Sequence, residues 1–405
     1  MKKALYDYPV IILQGARQTG KTTLSQMPSI GKERAYLTLD DFSVLEKAER
    51  EPETLFIGHN KITLDEVQRC PKLLLAVKKE IDRYRTPGKF LITGSSNILL
   101  MKKTSESLAG RALYFFLPPL IWAEFEQSGF GRTIDLLFQS KTIADLLQQI
   151  GHTVPKAKRR LEKAVFKGGY PVPALSNDEE FCSRWLNGYI QTYLERDLKD
   201  ISATDNLVDF RRLMAICAAQ NGRVLNISSL ALDAGISPAT ARRYLNLLEI
   251  SFQVMRIPAY AVNRGKRLIK APKIYWTDTG LAAHLAGIFS DKELVESKEW
   301  GAWLESWVAI NLAVYESVKI PKIRISHFRT SNGQEVDFIL ERGRTVIPVE
   351  VKTTEYPKGK HIQGIETFLD TYAGSPFGIL VCRCKTPHAV SRKIAAIPIE
   401  TFLLN

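Results

Sequence analysis

A glycine-rich loop near the start of the chain limits the possible folds more than any other stretch. The run "PVIILQGARQTGKTTLSQM" opens with apolar residues, Pro9 to Leu13, that predict a buried strand. Gly15 to Thr22 then fits G-x-x-x-x-G-K-[ST] at every fixed position, and a helical pattern follows. Glycines let successive backbone N–H groups face phosphate oxygens, and the helix N-terminus favours anions. The loop therefore predicts a nucleotide-phosphate site in an α/β domain built on a parallel sheet.

The side chains of this loop predict how phosphate and metal would be bound. Lys21 is expected to reach the β and γ phosphates as a catalytic group, and Thr22 to offer its hydroxyl to the metal. The expected ligands of this loop are the phosphates of a nucleotide and Mg²⁺. The predicted nucleotide-binding residues are Gly15, Ala16, Arg17, Gln18, Thr19, Gly20, Lys21, Thr22 and Thr23.

A second apolar run ends in two carboxylates, as a phosphoryl-transfer site requires. In "KITLDEVQRC", Asp65 and Glu66 follow the apolar residues of a predicted strand. Asp65 is predicted to hold Mg²⁺, partly through water, together with Thr22. Glu66 is predicted to polarise the attacking water as a general base. A strand-end acidic pair without catalytic work is the alternative.

Two further stretches supply candidates for sensing and charge neutralisation. "KFLITGSSNILLM" predicts a third buried strand, after which Thr93, Ser95 or Asn97 could sense the γ-phosphate; Ser95 and Asn97 are the predicted sensors, and a plain turn is the alternative. In "SLAGRALYFFLPPL", Arg111 could neutralise transition-state charge, in cis or across a subunit interface. A purely structural arginine is the alternative for Arg111.

The order of these motifs resembles one family over essentially the whole chain. The loop, "LDEVQ", "LITGSS", "LAGRALYFFLPPL", "GGYPVPAL", "YLERDLKDI", "KIYWTDTGLAAHLAG" and "EVDFIL…PVEVK" together look like prokaryotic AAA-type ATPases with a C-terminal DUF4143 domain. The resemblance implies ATP binding and an AAA-like core. Similar proteins often carry more residues before the loop than the fourteen here, so we expect a missing N-terminal helix or a truncated start.

The basic surplus of the chain falls in its middle. Net charge is +13 overall; residues 151–290 carry 20 basic and 12 acidic side chains, against 21 and 17 in residues 1–150 and 15 and 14 in residues 291–405. A localised basic excess is typical of polyanion-binding domains, although a solvated basic face is the alternative. No apolar run approaches the roughly 18 residues that span a bilayer.

The same middle segment contains a helix-turn-helix pattern. In "NISSLALDAGISPATARRYLNLLEI", Gly235 separates two predicted helices, and the second one carries Thr240, Arg242, Arg243 and Tyr244 where a recognition helix presents side chains. A strand and a basic hairpin or wing follow, which predicts a winged helix. A protein-packing module is the alternative. The predicted nucleic-acid contacts are Arg242, Arg243, Arg264, Lys266, Arg267 and Lys270.

The C-terminal segment predicts a strand-rich domain with a carboxylate site. Asp337 in "EVDFILER" and Glu350-Val-Lys352 in "TVIPVEVK" resemble the PD-(D/E)xK restriction-endonuclease-like fold, with Glu305 as an additional helix carboxylate and Val336 in the usual proline position. The resemblance implies that Asp337 and Glu350 bind Mg²⁺ and that Lys352 positions or activates water near the attacked phosphate. A salt-bridged pair in an inert, nuclease-derived domain is the alternative.

These expectations combine into one architecture and two principal functions. We predict an AAA-type P-loop ATPase domain at 1–150, a helical linker and winged helix at 151–290, and an α/β nuclease-like DUF4143 domain at 291–405. Nucleotide state would then control a module acting on DNA. The alternative is an ATP-gated regulatory switch that binds protein partners through an inert C-terminal scaffold; an ATP-dependent remodeller ranks last. We further expect a cytoplasmic protein, no membrane partner and a possible homo-oligomer.

Overall fold

The computed structural model describes most of the chain and divides it into two compact units. It describes residues 1–95, 108, 110–194, 206–263, 265, 267, 270–330, 332–372 and 374–405. Unit 1 comprises Met1–Pro119 with Asn246–Gln253, and unit 2 comprises Leu120–Leu245 with Val254–Asn405. No helix in these ranges is long and apolar enough to cross a lipid bilayer.

Unit 1 is built on a five-stranded parallel sheet. Its strands run in the order β2-β3-β4-β1-β5, and β1, β3 and β4 are fully buried because they lie inside the sheet. The strands are β1 (Val10–Gln14), β2 (Ala35–Thr38), β3 (Ile62–Asp65), β4 (Phe90–Gly94) and β5 (Ala112–Phe116). The helices are α1 (Ala4–Asp7), α2 (Lys21–Gln26), α3 (Pro28–Gly31), α4 (Phe42–Arg50) and α5 (Leu73–Arg83), with 3₁₀ turns at Pro52–Phe56 and Val67–Arg69. The predicted parallel α/β domain is confirmed.

The strand order brings the predicted nucleotide residues to one edge. β4 pairs with β1 on one side and with β3 on the other, in parallel register. All three strands therefore end at the same edge of the sheet. The glycine-rich loop follows β1, the acidic pair closes β3, and Ser95 follows β4 directly.

Unit 2 combines helices with a six-stranded mixed sheet. The sheet order is β12-β13-β11-β10-β9-β8, and β6 pairs separately with β7. The strands are β6 (Val254–Ile257), β7 (Lys273–Trp276), β8 (Arg324–Arg329), β9 (Glu335–Arg342), β10 (Thr345–Val351), β11 (Gly378–Cys382), β12 (His388–Ser391) and β13 (Ile394–Pro398). Strands therefore form in "EVDFILER" and "TVIPVEVK", as the sequence predicted.

The helices of unit 2 precede and flank this sheet. They are α6 (Trp122–Glu126), α7 (Arg132–Gln139), α8 (Ile143–Ile150), α9 (Leu161–Lys167), α10 (Pro171–Leu175), α11 (Glu179–Tyr189), α12 (Leu207–Ala219), α13 (Ile227–Ala234), α14 (Pro238–Ile250), α15 (Thr279–Leu285), α16 (Asp291–Glu296), α17 (Trp300–Val318), α18 (Gln363–Thr371) and α19 (Ile399–Leu403). The last turn of α14, from Asn246 on, belongs to unit 1. Short turns of 3₁₀ and π helix occur at Gly359–His361 and Ile190–Leu194.

The helices that follow Leu120 pack on the C-terminal end of the chain. Thr133 Oγ1 donates to the Thr401 carbonyl at 2.7 Å, and the Arg132 N–H donates to the Asn405 carbonyl at 2.8 Å. Residues 120–150 accordingly belong to unit 2, whereas the sequence predicts an ATPase domain that extends to residue 150. The three-part division of the chain stays a prediction.

Two motifs far apart in sequence form one buried joint in unit 2. The Asp278 carboxylate accepts hydrogen bonds from the N–H groups of Gly169 at 2.6 Å and Tyr170 at 3.1 Å, and it caps α15 through the Leu281 N–H at 2.7 Å. A Cβ at Gly168 would lie 2.4 Å from Asp278 Oδ1, so the approach requires glycine. "GGYPVPAL" and "TDTGLAAHLAG" thus have a structural role.

We predict that Asp278→Ala destabilises unit 2 strongly, because it leaves three buried N–H groups without their acceptor. The expected loss is about 3 kcal/mol, which lowers Tm by roughly 5–10 °C. Calorimetric unfolding of the full chain measures this shift. Asp370→Ala, at an exposed site in α18, is the matched control and should change Tm little. Equal shifts in the two variants would contradict the assigned role of Asp278.

Candidate nucleotide site and carboxylate cluster

The glycine-rich loop follows the end of β1 in a form that only glycine permits at its first position. A Cβ on Gly15 would lie 2.2 Å from the Leu117 carbonyl oxygen. Gly20 has a φ of 93° and immediately precedes α2, which begins at Lys21. Thr19 closes the loop by donating from Oγ1 to the Ala16 carbonyl at 3.0 Å. The backbone therefore turns from a buried strand into a helix N-terminus within six residues, 15–20.

The loop's charged and polar side chains differ in their contacts and their exposure. Lys21 Nζ donates to the carbonyls of Gly15 at 3.0 Å and Ala16 at 2.7 Å, so its ammonium group lies against the loop. Arg17 is half-buried, whereas Thr22 and Thr23 are exposed. Gln18 is exposed and has a left-handed backbone with a φ of 63°.

Asp65 is held at the end of β3 by three hydroxyl groups. Thr22 Oγ1 donates to Asp65 Oδ2 at 2.9 Å, and Tyr36 of β2 donates to the same oxygen. Thr93 of β4 donates to Oδ1. Burial and the neighbouring carboxylate raise the pKa of Tyr36, which keeps its hydroxyl a donor. The two residues predicted to hold Mg²⁺, Thr22 and Asp65, are in direct contact, and hard oxygen ligands of this kind suit that ion.

Glu66 lies beside the same edge in a network of polar side chains. Its backbone is left-handed, with a φ of 59°. Its Oε2 accepts from Gln68 Nε2 and, at 3.3 Å, from Ser95 Oγ. Gln68 also donates to Ser95 Oγ at 2.8 Å, and the Ser95 N–H donates to Gln68 Oε1 at 3.2 Å. Gln68 therefore joins the predicted base to the predicted sensor.

Only some of the polar residues at this edge could be predicted from the sequence. Tyr36 and Gln68 were not singled out, although Gln68 belongs to the quoted "LDEVQ" motif. Thr93 was one of three sensor alternatives. Asn97, another predicted sensor, lies outside the described residues.

Arg111 lies at the other edge of the sheet. It precedes β5, which runs parallel to β1 with Ala112 opposite Val10, whereas the loop follows the far end of β1. Strands of this length separate the edges by about 13 Å. Arg111 Nε donates to Asp82 Oδ1 at 2.6 Å. Contact with a phosphate in the same chain's loop is not compatible with this position, and the interface alternative stays a prediction.

The helix-turn-helix pattern of the middle segment folds as two helices around a left-handed glycine. α13 ends at Ala234, Gly235 caps it with a φ of 66°, and α14 follows. Arg242 and Arg243 are exposed on α14. Tyr244, predicted on the same presented face, is instead buried and packs edge-on against Phe210 at 5.2 Å, because the position three residues after Ala241 faces the core.

The basic stretch between β6 and β7 is only partly available for contacts. Lys270 is exposed. Arg267 Nη1 donates to Glu341 Oε2 at 2.6 Å, and its guanidinium stacks 4.6 Å from the Tyr260 ring, so the prediction that it contacts nucleic acid is not supported by its position. Arg264 and Lys266 lie outside the described residues.

The predicted C-terminal site residues come together in unit 2, with two unpredicted neighbours. Lys273 of β7 donates from Nζ to Glu305 Oε1 at 2.7 Å and to Asp337 Oδ1 at 3.2 Å. The Tyr275 hydroxyl donates to Glu305 Oε1 at 2.5 Å. These residues, together with Glu350 and Lys352, are called the carboxylate cluster: Lys273, Tyr275, Glu305, Asp337, Glu350 and Lys352.

The remaining contacts of the cluster connect β9 with β10. The Asp337 N–H donates to Glu350 Oε2 at 3.2 Å, and the Val351 N–H donates to Asp337 Oδ2 at 2.9 Å. Lys352 Nζ forms an ion pair with Glu350 Oε1. Lys352 and Glu350 thus share one side of the strand, as their spacing predicted.

Burial and mutual repulsion change the acidity of the cluster. Burial and then the Asp337 charge raise the pKa of Glu350 to about 8 and that of Glu305 to about 7. Burial also opposes ionisation of Asp337, yet Lys273 and Lys352 hold its pKa below the ordinary value. Among the described residues, no group of three or more His, Cys, Asp or Glu side chains is arranged to hold a metal ion.

Three family models match successive parts of the chain. Residues 7–126 match AAA_14, an AAA domain. Residues 158–292 match DUF8612 and residues 300–402 match DUF4143, both domains of unknown function. The N-terminal part is similar to AAA-type ATPases. The resemblance to AAA-type proteins with a DUF4143 domain is thereby confirmed, while its restriction-endonuclease-like character stays a prediction.

Uncharacterized bacterial proteins are similar in sequence to this chain over most of its length. One from Mycobacterium tuberculosis is 29% identical over 360 residues, which are 88% of this chain and 73% of that protein. A Mycobacterium bovis protein gives the same figures. One from Haemophilus influenzae is 23% identical over 378 residues, covering 86% of this chain and 84% of that protein.

Solved structures show a more distant likeness. A Walker-type ATPase of Pyrococcus abyssi is 16% identical, with a TM-score of 0.42, over 70% of this chain and 93% of that one. The DNA clamp loader delta protein of Bacillus subtilis is 11% identical, with a TM-score of 0.25, over 76% and 98%.

Proposed function

We propose that this protein binds ATP with Mg²⁺ and hydrolyses it. The observation that carries this proposal is the 2.9 Å hydrogen bond between Thr22 Oγ1 and Asp65 Oδ2. It brings the hydroxyl that ends the phosphate-binding loop onto the carboxylate that ends β3. A nucleotide–metal site requires both groups on one ion.

Each residue at this edge has a distinct task in the proposed reaction. The loop N–H groups and Lys21 bind the phosphates and fix the γ-phosphate in place. Thr22 and Asp65 would hold Mg²⁺, which neutralises phosphate charge when bound. Glu66 orients a water molecule and accepts its proton. Ser95 and Gln68 keep the Glu66 carboxylate at the end of the sheet.

Hydrolysis and binding should separate in two variants of the site. Glu66→Gln should bind ATP as wild type does and lose about 100-fold in kcat, because its amide cannot accept the proton. Lys21→Ala should weaken ATP binding by roughly tenfold or more, because a charge-assisted contact is lost. Phosphate release and titration with a fluorescent ATP analogue measure the two effects. Glu66→Gln with wild-type turnover would contradict the assigned base.

We further predict a positioning role for Gln68. Gln68→Ala should lower kcat by roughly tenfold while leaving KM near the wild-type value, because only the orientation of Glu66 is affected. Steady-state phosphate release measures both constants. Gln26→Ala, at an exposed glutamine of α2, is the control and should leave both unchanged. A Gln68→Ala change confined to KM would instead indicate a role in ATP binding.

Arg111 and oligomerisation form a linked part of the proposal. The position of Arg111 at the edge opposite the loop supports action on a nucleotide bound by a neighbouring subunit. A homo-oligomer is therefore proposed as the hydrolysing form. No specific observation on the described residues supports a protein partner other than a second copy of this chain.

We also propose that unit 2 binds DNA through its helix-turn-helix segment, with nucleotide state controlling that binding. Exposed Arg242 and Arg243 on the second helix support the first part, together with the net charge of +8 in residues 151–290 counted from the sequence. The control by nucleotide rests on the order of the domains. The nuclease-like pattern further predicts cleavage of the bound nucleic acid, a prediction on which the contacts of the carboxylate cluster bear directly.

DNA binding by the full chain should depend steeply on salt. Phosphate contacts release counterions, so the logarithm of affinity should fall linearly with the logarithm of salt concentration. Arg242→Ala with Arg243→Ala should reduce that slope by about two. Fluorescence anisotropy with a short duplex measures the slope. Lys292→Ala, at an exposed lysine of α16, is the control. A flat salt profile in the wild type would remove the DNA proposal.

One observation favours the alternative of an ATP-gated regulatory switch with an inert C-terminal scaffold. Lys273 already neutralises two carboxylates of the predicted cutting site. Stimulation of ATP hydrolysis by DNA would distinguish the alternatives, since the switch requires none.

A further inference from the structure

The carboxylate cluster contains its own cation. Lys273 Nζ lies 2.7 Å from Glu305 Oε1 and 3.2 Å from Asp337 Oδ1. A divalent ion bridging the same two oxygens would need them at about 2.0–2.6 Å, within the volume of the ammonium group. The lysine and a bridging metal ion therefore exclude each other.

The other oxygens of the cluster are also engaged. Asp337 Oδ2 accepts from the Val351 N–H at 2.9 Å, and Glu350 Oε2 accepts from the Asp337 N–H at 3.2 Å. Glu350 Oε1 is paired with Lys352. Binding a metal ion would therefore require these hydrogen bonds and ion pairs to be exchanged.

The opposite charges of the cluster largely compensate one another, and the ammonium group that provides part of this compensation is buried. Three carboxylates face two ammonium groups, and Lys273 is only 4% exposed. A lysine is almost never buried to this degree without carboxylate partners, because removing its charge from water is costly. Lys273 is thus placed in the cluster by the fold of β7 and held there by Glu305 and Asp337.

We propose that Lys273 replaces the metal ion that the nuclease-like pattern implies. The cluster is a lysine-neutralised, metal-free joint between β7 and the sheet strand β9. With Lys273 in place it takes no divalent cation. Removing the ammonium group leaves Glu305 Oε1 and Asp337 Oδ1 without their cation, and these are the two oxygens that one hard divalent ion would bridge.

The test is Mn²⁺ binding to the nucleotide-free full chain, followed by electron paramagnetic resonance. Absence of nucleotide keeps the loop site out of the measurement, since Thr22 and Asp65 need phosphate ligands to complete an ion's shell. Wild type and Asp337→Asn should bind Mn²⁺ equally weakly. Lys273→Met should bind one Mn²⁺ at least tenfold more tightly, and adding Asp337→Asn should abolish the gain. Lys273→Arg retains the charge and should show no gain.

Two results would overturn the inference. One is wild-type Mn²⁺ binding that Asp337→Asn abolishes, because the ion would then displace Lys273. The other is a folded Lys273→Met that gains no Mn²⁺ binding. Circular dichroism establishes folding; should Lys273→Met not fold, the comparison of wild type with Asp337→Asn decides alone. ATP hydrolysis, measured in parallel, tests the proposed function separately.

Discussion

The hydrogen bond from Thr22 to Asp65 depends on the strand order of unit 1. The two residues are 43 positions apart and meet because β1, β4 and β3 run parallel and end together. Had β3 run antiparallel, the same acidic pair would lie at the far edge. The polar contacts of Tyr36, Thr93 and Ser95 use the same edge. The direction of the strands therefore determines which side chains lie beside the phosphate-binding loop.

The sequence predicted the parts of this site that are continuous in the chain. The loop is readable because its glycines and its Lys–Thr pair act within eight residues, and the acidic pair because it closes an apolar run. Tyr36 and Gln68 could not be found that way. Tyr36 matters only once β2 lies beside β3, and Gln68 only once Ser95 is brought to it. Arg111 shows the converse, since a plausible residue type proved to lie at the wrong edge for its own loop.

In unit 2, too, the role of several sequence motifs depends on contacts between distant parts of the chain. "GGYPVPAL" and "TDTGLAAHLAG" suggested a family but no chemistry, and Asp278 explains them as two sides of one buried contact. Periodicity predicted the strands around Asp337 and Glu350, and the spacing placed Lys352 correctly. In the sequence, Lys273 is only one of the 20 basic side chains of residues 151–290, because nothing local indicates that its side chain turns inward. The prediction that the second helix presents Tyr244 was wrong for a related reason. A shift of one residue along a helix decides whether a side chain faces solvent or the core.

A cation that is part of the polypeptide differs from a bound ion in its supply. It is present once per molecule whatever the magnesium concentration of the surroundings, and no chelator can remove it. Lys273 lies in a segment that matches one domain model, whereas Glu305 and Asp337 lie in a segment that matches another. Because the ion pair joins the two segments, a change in one requires a matching residue in the other. An exchange of either segment between relatives would have to carry the matching charge with it.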